Sequence, residues 1–314
     1  MNRRSGFLLA KLCLLMLVAP GTARGEGSFT RQQDVIYGRK YGTALTMDVF
    51  TPAKNANGAA VIVCISGGWI SNHDNIQPIF ASELLKRGYT VFAVVHGSQP
   101  KFTIPECVAD INRSVRYIRT HAADFKIDPN RIGISGASAG GHLSLMLGCN
   151  CGEGDEKAKD TVDRASSRVQ AVACFFPPTD FLNYGEAGVK ALGLEPQHQF
   201  KAPFDFHEHD AANKMFKPVD LSTRERICKE ISPIYHVSKD DAPTLLIHGD
   251  ADKLVPLQQS EIIVEKFKEV GVPCELVVKH GVGHGWPTIM ADFKLIADWF
   301  DKHLTSAATA QATN

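Results

Sequence analysis

The stretch Arg131-Ile132-Gly133-Ile134-Ser135-Gly136-Ala137-Ser138-Ala139-Gly140-Gly141-His142-Leu143 changes character in its middle. Residues 131–135 form a short apolar, β-rich run, and from 138 to about 147 the pattern is helical. Between the two lies Gly136-Ala137-Ser138-Ala139-Gly140, a serine on a sharp strand-to-helix turn. Glycines keep neighbouring backbone from clashing at such a turn, and the helix N-terminus beneath the serine favours developing negative charge. An inert Gly/Ser turn has the same composition, so a nucleophilic Ser138 depends on what the rest of the chain can bring to it.

Outward from this turn the chain alternates strand-like and helix-like segments. Residues 59–65, 90–95, 169–176, 244–247 and 275–278 read as strands, and 35–37 with 45–50 as an N-terminal antiparallel hairpin. Helices are expected over 77–86, 105–122, 257–270 and 289–303. In the second of these Val108, Ile111, Val115 and Ile118 lay one apolar stripe against a sheet. Such alternation predicts an α/β fold, a mostly parallel central sheet flanked by helices on both faces. Residues from about 180 to 240 break the rhythm and read as an inserted, cap-like segment on top of the sheet.

The composition excludes several functions. Over 314 residues, 34 Lys+Arg balance 34 Asp+Glu, so no net positive charge draws the chain to nucleic acid or an anionic membrane. With 44% hydrophobic and 22% charged residues the chain is globular rather than disordered. Arg3 and Arg4, the apolar run 7–19 broken by Lys11, and the small residues before Gly25 describe a secretory leader. Its 13 apolar-run residues fall short of the roughly 20 that a membrane span needs. Export to the periplasm or medium, with cleavage after Ala23 or Gly25 and no membrane attachment afterwards, is the expectation. Removing Cys13 with the leader leaves seven of eight cysteines, so at least one thiol is unpaired. Cys64 and Cys174 sit in apolar runs and read as small buried hydrophobes.

A serine of ordinary pKa needs a base, and the base needs an orienting carboxylate. His248-Gly249-Asp250-Ala251-Asp252 places two acids beyond a buried strand, and Gly283-His284-Gly285 places a histidine in a flexible loop after the last strand. The order Ser138, Asp252, His284 is the one found on open α/β sheets with a nucleophile elbow. His280 and His248 compete with His284, but glycines on both sides let the 284 loop fold over Ser138. Asp250, directly after the strand, is assigned to capping the turn and Asp252 to catalysis. An oxyanion hole needs two backbone N–H donors. One is expected from Ala139, the other from Gly67 or Gly68 in the loop Ser66-Gly67-Gly68-Trp69. Trp69 is a candidate substrate-binding residue that either walls the acyl pocket or only packs.

With these residues placed, the chain resembles the α/β-hydrolases. Within them it is similar to the esterase/lipase branch with acetylxylan-esterase-like and bacterial feruloyl-esterase-like (BD-FAE-like) proteins. Besides the elbow, the shared pieces include Asp48-Val49-Phe50-Thr51-Pro52, Ile127-Asp128-Pro129-Asn130-Arg131-Ile132 and His248-Gly249-Asp250-Ala251-Asp252 with Val255-Pro256. The resemblance implies one hydrolase domain over 26–304, between a leader over 1–25 and an unstructured tail over 305–314. It also implies a serine carboxylesterase acting on acetyl- or feruloyl-like esters, small or polysaccharide-linked, without metal or organic cofactor, and it supports Asp252 as the acid. One departure stands out: Ile65-Ser66-Gly67-Gly68-Trp69 occupies a run that is commonly His-Gly-Gly-Gly-Trp. The missing histidine usually props the oxyanion loop, so support here must come from elsewhere. His207-Glu208-His209-Asp210 in the insertion lacks a helical His-x-x-x-His spacing and reads as a polar loop rather than a metal site. Two rivals remain at this stage: a single-domain peptidase resembling prolyl oligopeptidase catalytic domains, and a non-catalytic binding protein on the same scaffold.

Overall fold

A computed structural model of the protein describes residues 28–194 and 200–305. The expected leader, with Cys13, and the tail beyond Thr305 lie outside the described residues. The strands among them are β1 (Phe29–Lys40), β2 (Thr43–Pro52), β3 (Ala60–Ile65), β4 (Thr90–Val95), β5 (Ile132–Ala137), β6 (Ala171–Phe175), β7 (His207–Asp210), β8 (Met215–Pro218), β9 (Thr244–Gly249) and β10 (Cys274–Lys279). The helices are α1 (Ser82–Lys86), α2 (Ile104–Thr120), α3 (Ala122–Phe125), α4 (Ala139–Cys149), α5 (Leu221–Glu230), α6 (Gln258–Val270) and α7 (Ile289–Phe300).

Eight strands form one sheet in the order β1-β2-β4-β3-β5-β6-β9-β10. The β1–β2 hairpin joins antiparallel at one edge, and every pairing from β4 to β10 is parallel. The central strands are apolar throughout because helices cover both faces, so alternate side chains enter two separate cores. Ala60, Ile62 and Cys64 of β3 point to the face packed by α2, α4 and α6, through Ile111, Val115, Leu143 and Phe267. Val61 and Ile65 point to the face packed by α1 and α7, through Leu84, Leu85, Ile296 and Phe300. This is the α/β-hydrolase fold that the alternation predicts.

Local departures have local causes. The helix expected over 77–86 is a 3-10 turn, Pro78–Ala81, running into the short α1. Ser82 takes the Ile79 carbonyl with both its N–H and its hydroxyl, and so removes the acceptor an α-turn would use. α2 starts on a capping box in which Thr103 and Glu106 satisfy one another's orphan N–H groups. The last helix stops at Phe300 and widens into a π-turn, Asp301–Thr305.

The described residues of 180–240 add no strand to the main sheet; they hold the small hairpin β7–β8 and α5. His207-Glu208-His209-Asp210 is β7 itself, so its two histidines face one way and its two acids the other. The seven described cysteines are all free thiols, with Cys64 and Cys174 buried in strands as their surroundings predict. Ile134, fully buried on the nucleophile strand, gives a test of the core. Ile134→Ala should cost about 2–5 kcal/mol, read as a lower urea midpoint with unchanged slope.

Candidate active site

Ser138 is the residue between β5 and α4, and its backbone stands at φ 55° and ψ −120°. A side chain at positive φ is strained, and the surroundings hold it there. Its N–H donates to the Phe175 carbonyl at 3.0 Å, and its own carbonyl accepts the His142 N–H at 2.9 Å. The flanking glycines are enforced by close approach. A Cβ on Gly136 would lie 2.4 Å from the Gly140 carbonyl carbon, and one on Gly140 would lie 2.7 Å from the Cys64 carbonyl oxygen. Strand, helix and the neighbouring β3 therefore meet at backbone contact, which lifts the serine hydroxyl clear of the sheet.

The loops after β9 and β10 bring the two partners. They are locked together by the Ala251 N–H on the Val282 carbonyl and the Asp250 N–H on the Lys279 carbonyl, at 3.0 and 3.1 Å. A Cβ on Gly249 would meet the Val282 oxygen at 2.3 Å, so this contact too demands glycine. His284 Nε2 lies 2.9 Å from Ser138 Oγ, and His284 Nδ1 lies 2.7 Å from Asp252 Oδ2. The network assigns the proton to Nδ1, leaving Nε2 to accept from the serine. Phe176 covers the ring at 4.4 Å between centroids.

The competing residues are paired with each other instead. Asp250 does not cap its own turn as expected; it accepts from His280 Nδ1 and from the Gly281 N–H of the next loop, both at 2.7 Å, on the exposed side. His248 is fully buried beneath the acid, with Nδ1 2.7 Å from Ser260 Oγ and Nε2 2.9 Å from the Val255 carbonyl. Its Nε2 is also 3.5 Å from Asp252 Oδ2. The other oxygen of Asp252 accepts the N–H groups of Leu254 and Val255, at 2.9 Å each. Burial would raise the Asp252 carboxyl, but the bonds from His248, His284 and the Val255 N–H outweigh it and hold it well below the usual carboxylate range.

Ala139 opens α4, where an N–H has no intrahelical acceptor. The loop after β3 differs from expectation in one donor. Gly67 donates its N–H to the Ile70 carbonyl at 3.0 Å and accepts from Ile70 in return at 2.9 Å, so it is not free to bind an oxyanion. This bridge turns the next two residues outward at positive φ, 55° for Gly68 and 60° for Trp69, and neither N–H has an acceptor among the described residues. Gly68 must be glycine, because a Cβ would also strike the Phe200 ring at 2.9 Å. The Trp69 ring is buried against Phe181, Phe200 and Phe204 and donates its indole N–H to His142 Nδ1 at 3.3 Å. His142 Nε2–H donates to the Ile231 carbonyl at 2.7 Å, and burial pushes the ring's pKa down to about 4, which keeps it neutral. Trp69 therefore both packs and walls a cavity of about 230 Å³ that opens at Ser138, together with Phe181, Tyr184, Phe200, Phe204 and Pro256.

The support missing from Ile65-Ser66 comes from the chain after β4. The Gln99 N–H and side-chain amide donate to the Trp69 and Gly68 carbonyls at 3.1 and 3.3 Å, and His96 reaches Ser66. Sequence reading passed over His96; its one signal is an imidazole directly after the apolar run 90–95. For a cation, Asp34, Asp48 and His73 come within 4.8 Å of one another, but Arg31 already neutralises Asp48 at 2.5 Å.

A BD-FAE family model matches residues 47–267. The chain belongs to the BD-FAE family. That match contains Ser138 and Asp252 and ends before His284. The chain is similar to the probable carboxylic ester hydrolase LipM of Mycobacterium tuberculosis, 28% identical over 80% of this chain and 57% of that protein. It is also similar to isoprenylcysteine alpha-carbonyl methylesterase ICME of Arabidopsis thaliana, 25% identical over 88% of this chain and 62% of that one. The chain thus spans about three fifths of the length of these curated relatives. Among solved structures, a truncated form of a carbohydrate esterase from gut microbiota is 28% identical with a TM-score of 0.66, over 91% of this chain and all of that one. The acetyl ester-xyloside bifunctional hydrolase of Caldicellulosiruptor lactoaceticus shares the fold at 23% identity and a TM-score of 0.67, over 86% of this chain and 95% of that one.

Two outcomes follow for this BD-FAE member. Gly140→Ala should cost about 1–3 kcal/mol in denaturant unfolding, because its new methyl collides with β3 backbone that cannot yield, and it should abolish active-site labelling of Ser138. The lowered Asp252 carboxyl makes a contribution to stability that is present above its unfolded value near 4 and is lost as pH falls. The stability gap between wild type and Asp252→Asn, followed by urea unfolding at a series of pH values, should therefore narrow below about pH 4.

Proposed function

We propose that the protein is a serine carboxylesterase in which Ser138, His284 and Asp252 form the catalytic triad. The observation that carries this reading is the continuous bond chain from Ser138 Oγ through His284 to Asp252, at 2.9 and 2.7 Å, with the serine raised on a strained turn. Ser138 Oγ attacks the ester carbonyl carbon as His284 Nε2 takes its proton. Asp252 fixes the imidazole orientation and stabilises the imidazolium. The carbonyl oxygen gains its charge facing the N–H groups of Ala139, Gly68 and Trp69. His284 returns the proton to the departing alcohol, leaving Ser138 acylated. Water, deprotonated by the same ring, then releases the acid and restores the serine.

The acyl group enters the 230 Å³ cavity, whose aromatic walls suit a flat acyl group as well as acetyl. Acetyl- or feruloyl-like esters, free or linked to polysaccharide, are accordingly the proposed substrates. The carbohydrate-esterase and acetyl ester-xyloside hydrolase neighbours agree with that class. The basic, apolar and small-residue pattern before residue 26 supports action in the periplasm or outside the cell.

An aryl fluorophosphonate should label Ser138 stoichiometrically in folded wild type and not in Ser138→Ala. On short-chain nitrophenyl esters, Ser138→Ala should lose about 10⁴-fold or more in kcat and Asp252→Asn about 10³–10⁴-fold. Unlabelled Ser138 in active protein would overturn the mechanism, and amide turnover matching ester turnover would favour a peptidase.

A further inference from the structure

Trp69 and Gly68 stand side by side at positive φ, and only the surroundings can keep a tryptophan there. Packing does not do it alone, for the loop has open space on both sides. Gly68 and Trp69 border the 230 Å³ cavity, and Ile65, Ser66 and Gly67 border a second, mostly apolar cavity of about 540 Å³ between residues 74–80 and α7. A loop between two voids is placed by its hydrogen bonds. The Gly67–Ile70 bridge closes it on itself but does not tie it to the fold.

Gln99 holds the Trp69 and Gly68 carbonyls, and two further ties meet at one residue, one through its side chain and one through its backbone. His96, 3% exposed, follows β4 and has Nδ1 2.7 Å from the Gly97 carbonyl, so that nitrogen carries the proton. Nε2 is thereby an acceptor, and Ser66 Oγ–H lies 2.9 Å from it. On the far side of the loop, the His96 N–H donates to Ser71 Oγ at 3.2 Å, and the Ser71 hydroxyl donates to the Ile65 carbonyl. Thus the residue before the two glycines and the residue after the bridge both bond to His96. The histidine is itself anchored, since the Gly97 N–H donates to Asp110 at 2.8 Å and Asp110 is paired with Lys40 at 2.6 Å. Burial pushes the His96 pKa down to about 4, so the acceptor nitrogen stays unprotonated at neutral pH.

We propose that His96 is a positioning residue whose imidazole holds the oxyanion donors Gly68 and Trp69 through Ser66, while its backbone N–H fixes Ser71. It replaces, from the neighbouring strand, the loop histidine that Ile65-Ser66 lacks. This rests on the serine-esterase reading above. His96 touches no reacting atom, and its effect is confined to the step at which charge develops on the carbonyl oxygen. The Ser66 hydroxyl has no counterpart when the loop carries its own histidine, and the present geometry gives it a purpose.

The test compares wild type, Ser66→Ala, His96→Leu, His96→Gln and the Ser66→Ala/His96→Leu double variant on one nitrophenyl ester. Rates are divided by the fluorophosphonate-titrated concentration of Ser138, so that unfolded protein does not count. Ser66→Ala and His96→Leu should each lower kcat about 10–100-fold with KM within about twofold. Affinity for an aryl trifluoromethyl ketone, which becomes an oxyanion on adding Ser138, should fall by the same factor. The double variant should be no worse than the poorer single one, and His96→Gln, whose amide oxygen can accept from Ser66, should regain part of the rate. Unchanged kcat in Ser66→Ala, multiplicative losses in the double variant, or a loss carried in KM would each overturn the proposal while leaving the triad intact. A wild type that neither turns over esters nor labels would overturn the esterase reading, and this one with it.

Discussion

The contact on which the site depends is between backbones. Where β5 turns into α4, Gly136 and Gly140 lie so near each other and so near the Cys64 carbonyl of β3 that neither tolerates a methyl group. The turn can be this tight only because Ser138 accepts positive φ, and the strain is held by bonds from Ser138 to Phe175 and His142. Those bonds are in turn fixed by a helix buried along its whole length, from Ala139 to Cys149. Placing a nucleophile above a sheet is thus a packing problem, solved by removing side chains from both partners of one crossing. Everything else in the site is measured from the hydroxyl that results.

The two loops that meet it are sorted by burial. The β9 end provides two aspartates and the β10 end two histidines, which form one pair facing water and one facing the serine. Asp250 with His280 fastens the outer rim, and Asp252 with His284 occupies the inner one. The inner pair is distinguished by its surroundings: His248 beneath it, two backbone N–H groups on the spare oxygen, and Phe176 over the ring. Partial burial strengthens these bonds, while the donors around Asp252 offset the cost of taking its charge out of water.

The chamber is assembled from three distant parts of the chain: the loop after β3, described residues of the insertion (178–193 with Phe200 and Phe204), and the turn after Asp252. Trp69 joins the first two of these to α4, with its ring on Phe181 and Phe204, its indole N–H on His142, and His142 on the Ile231 carbonyl. Cavity walls and oxyanion donors therefore share residues. The insertion touches the loop that carries these N–H groups through the Trp69 ring.

Some of this was determined by the amino-acid order alone. The elbow, the two partner loops and the parallel sheet were legible because each is a local pattern: glycines around a serine, acids after a buried strand, a histidine between glycines. The choice of Asp252 was legible but the reason for it was not: Asp250 binds His280 and the Gly281 N–H of the next loop, and it is Asp252 that caps its own turn. Other features needed the tertiary structure. Gly67 forfeits its N–H to Ile70, which passes the donor role on to Gly68 and Trp69, and no spacing rule contains that bridge. His96 lies 30 residues from the serine it bonds, just beyond a strand that is adjacent in space only because β4 pairs with β3. Local sequence fixes which groups are available. Which hydrogen bonds they form is settled by strand order and by the voids left around a loop, and both are properties of the folded chain.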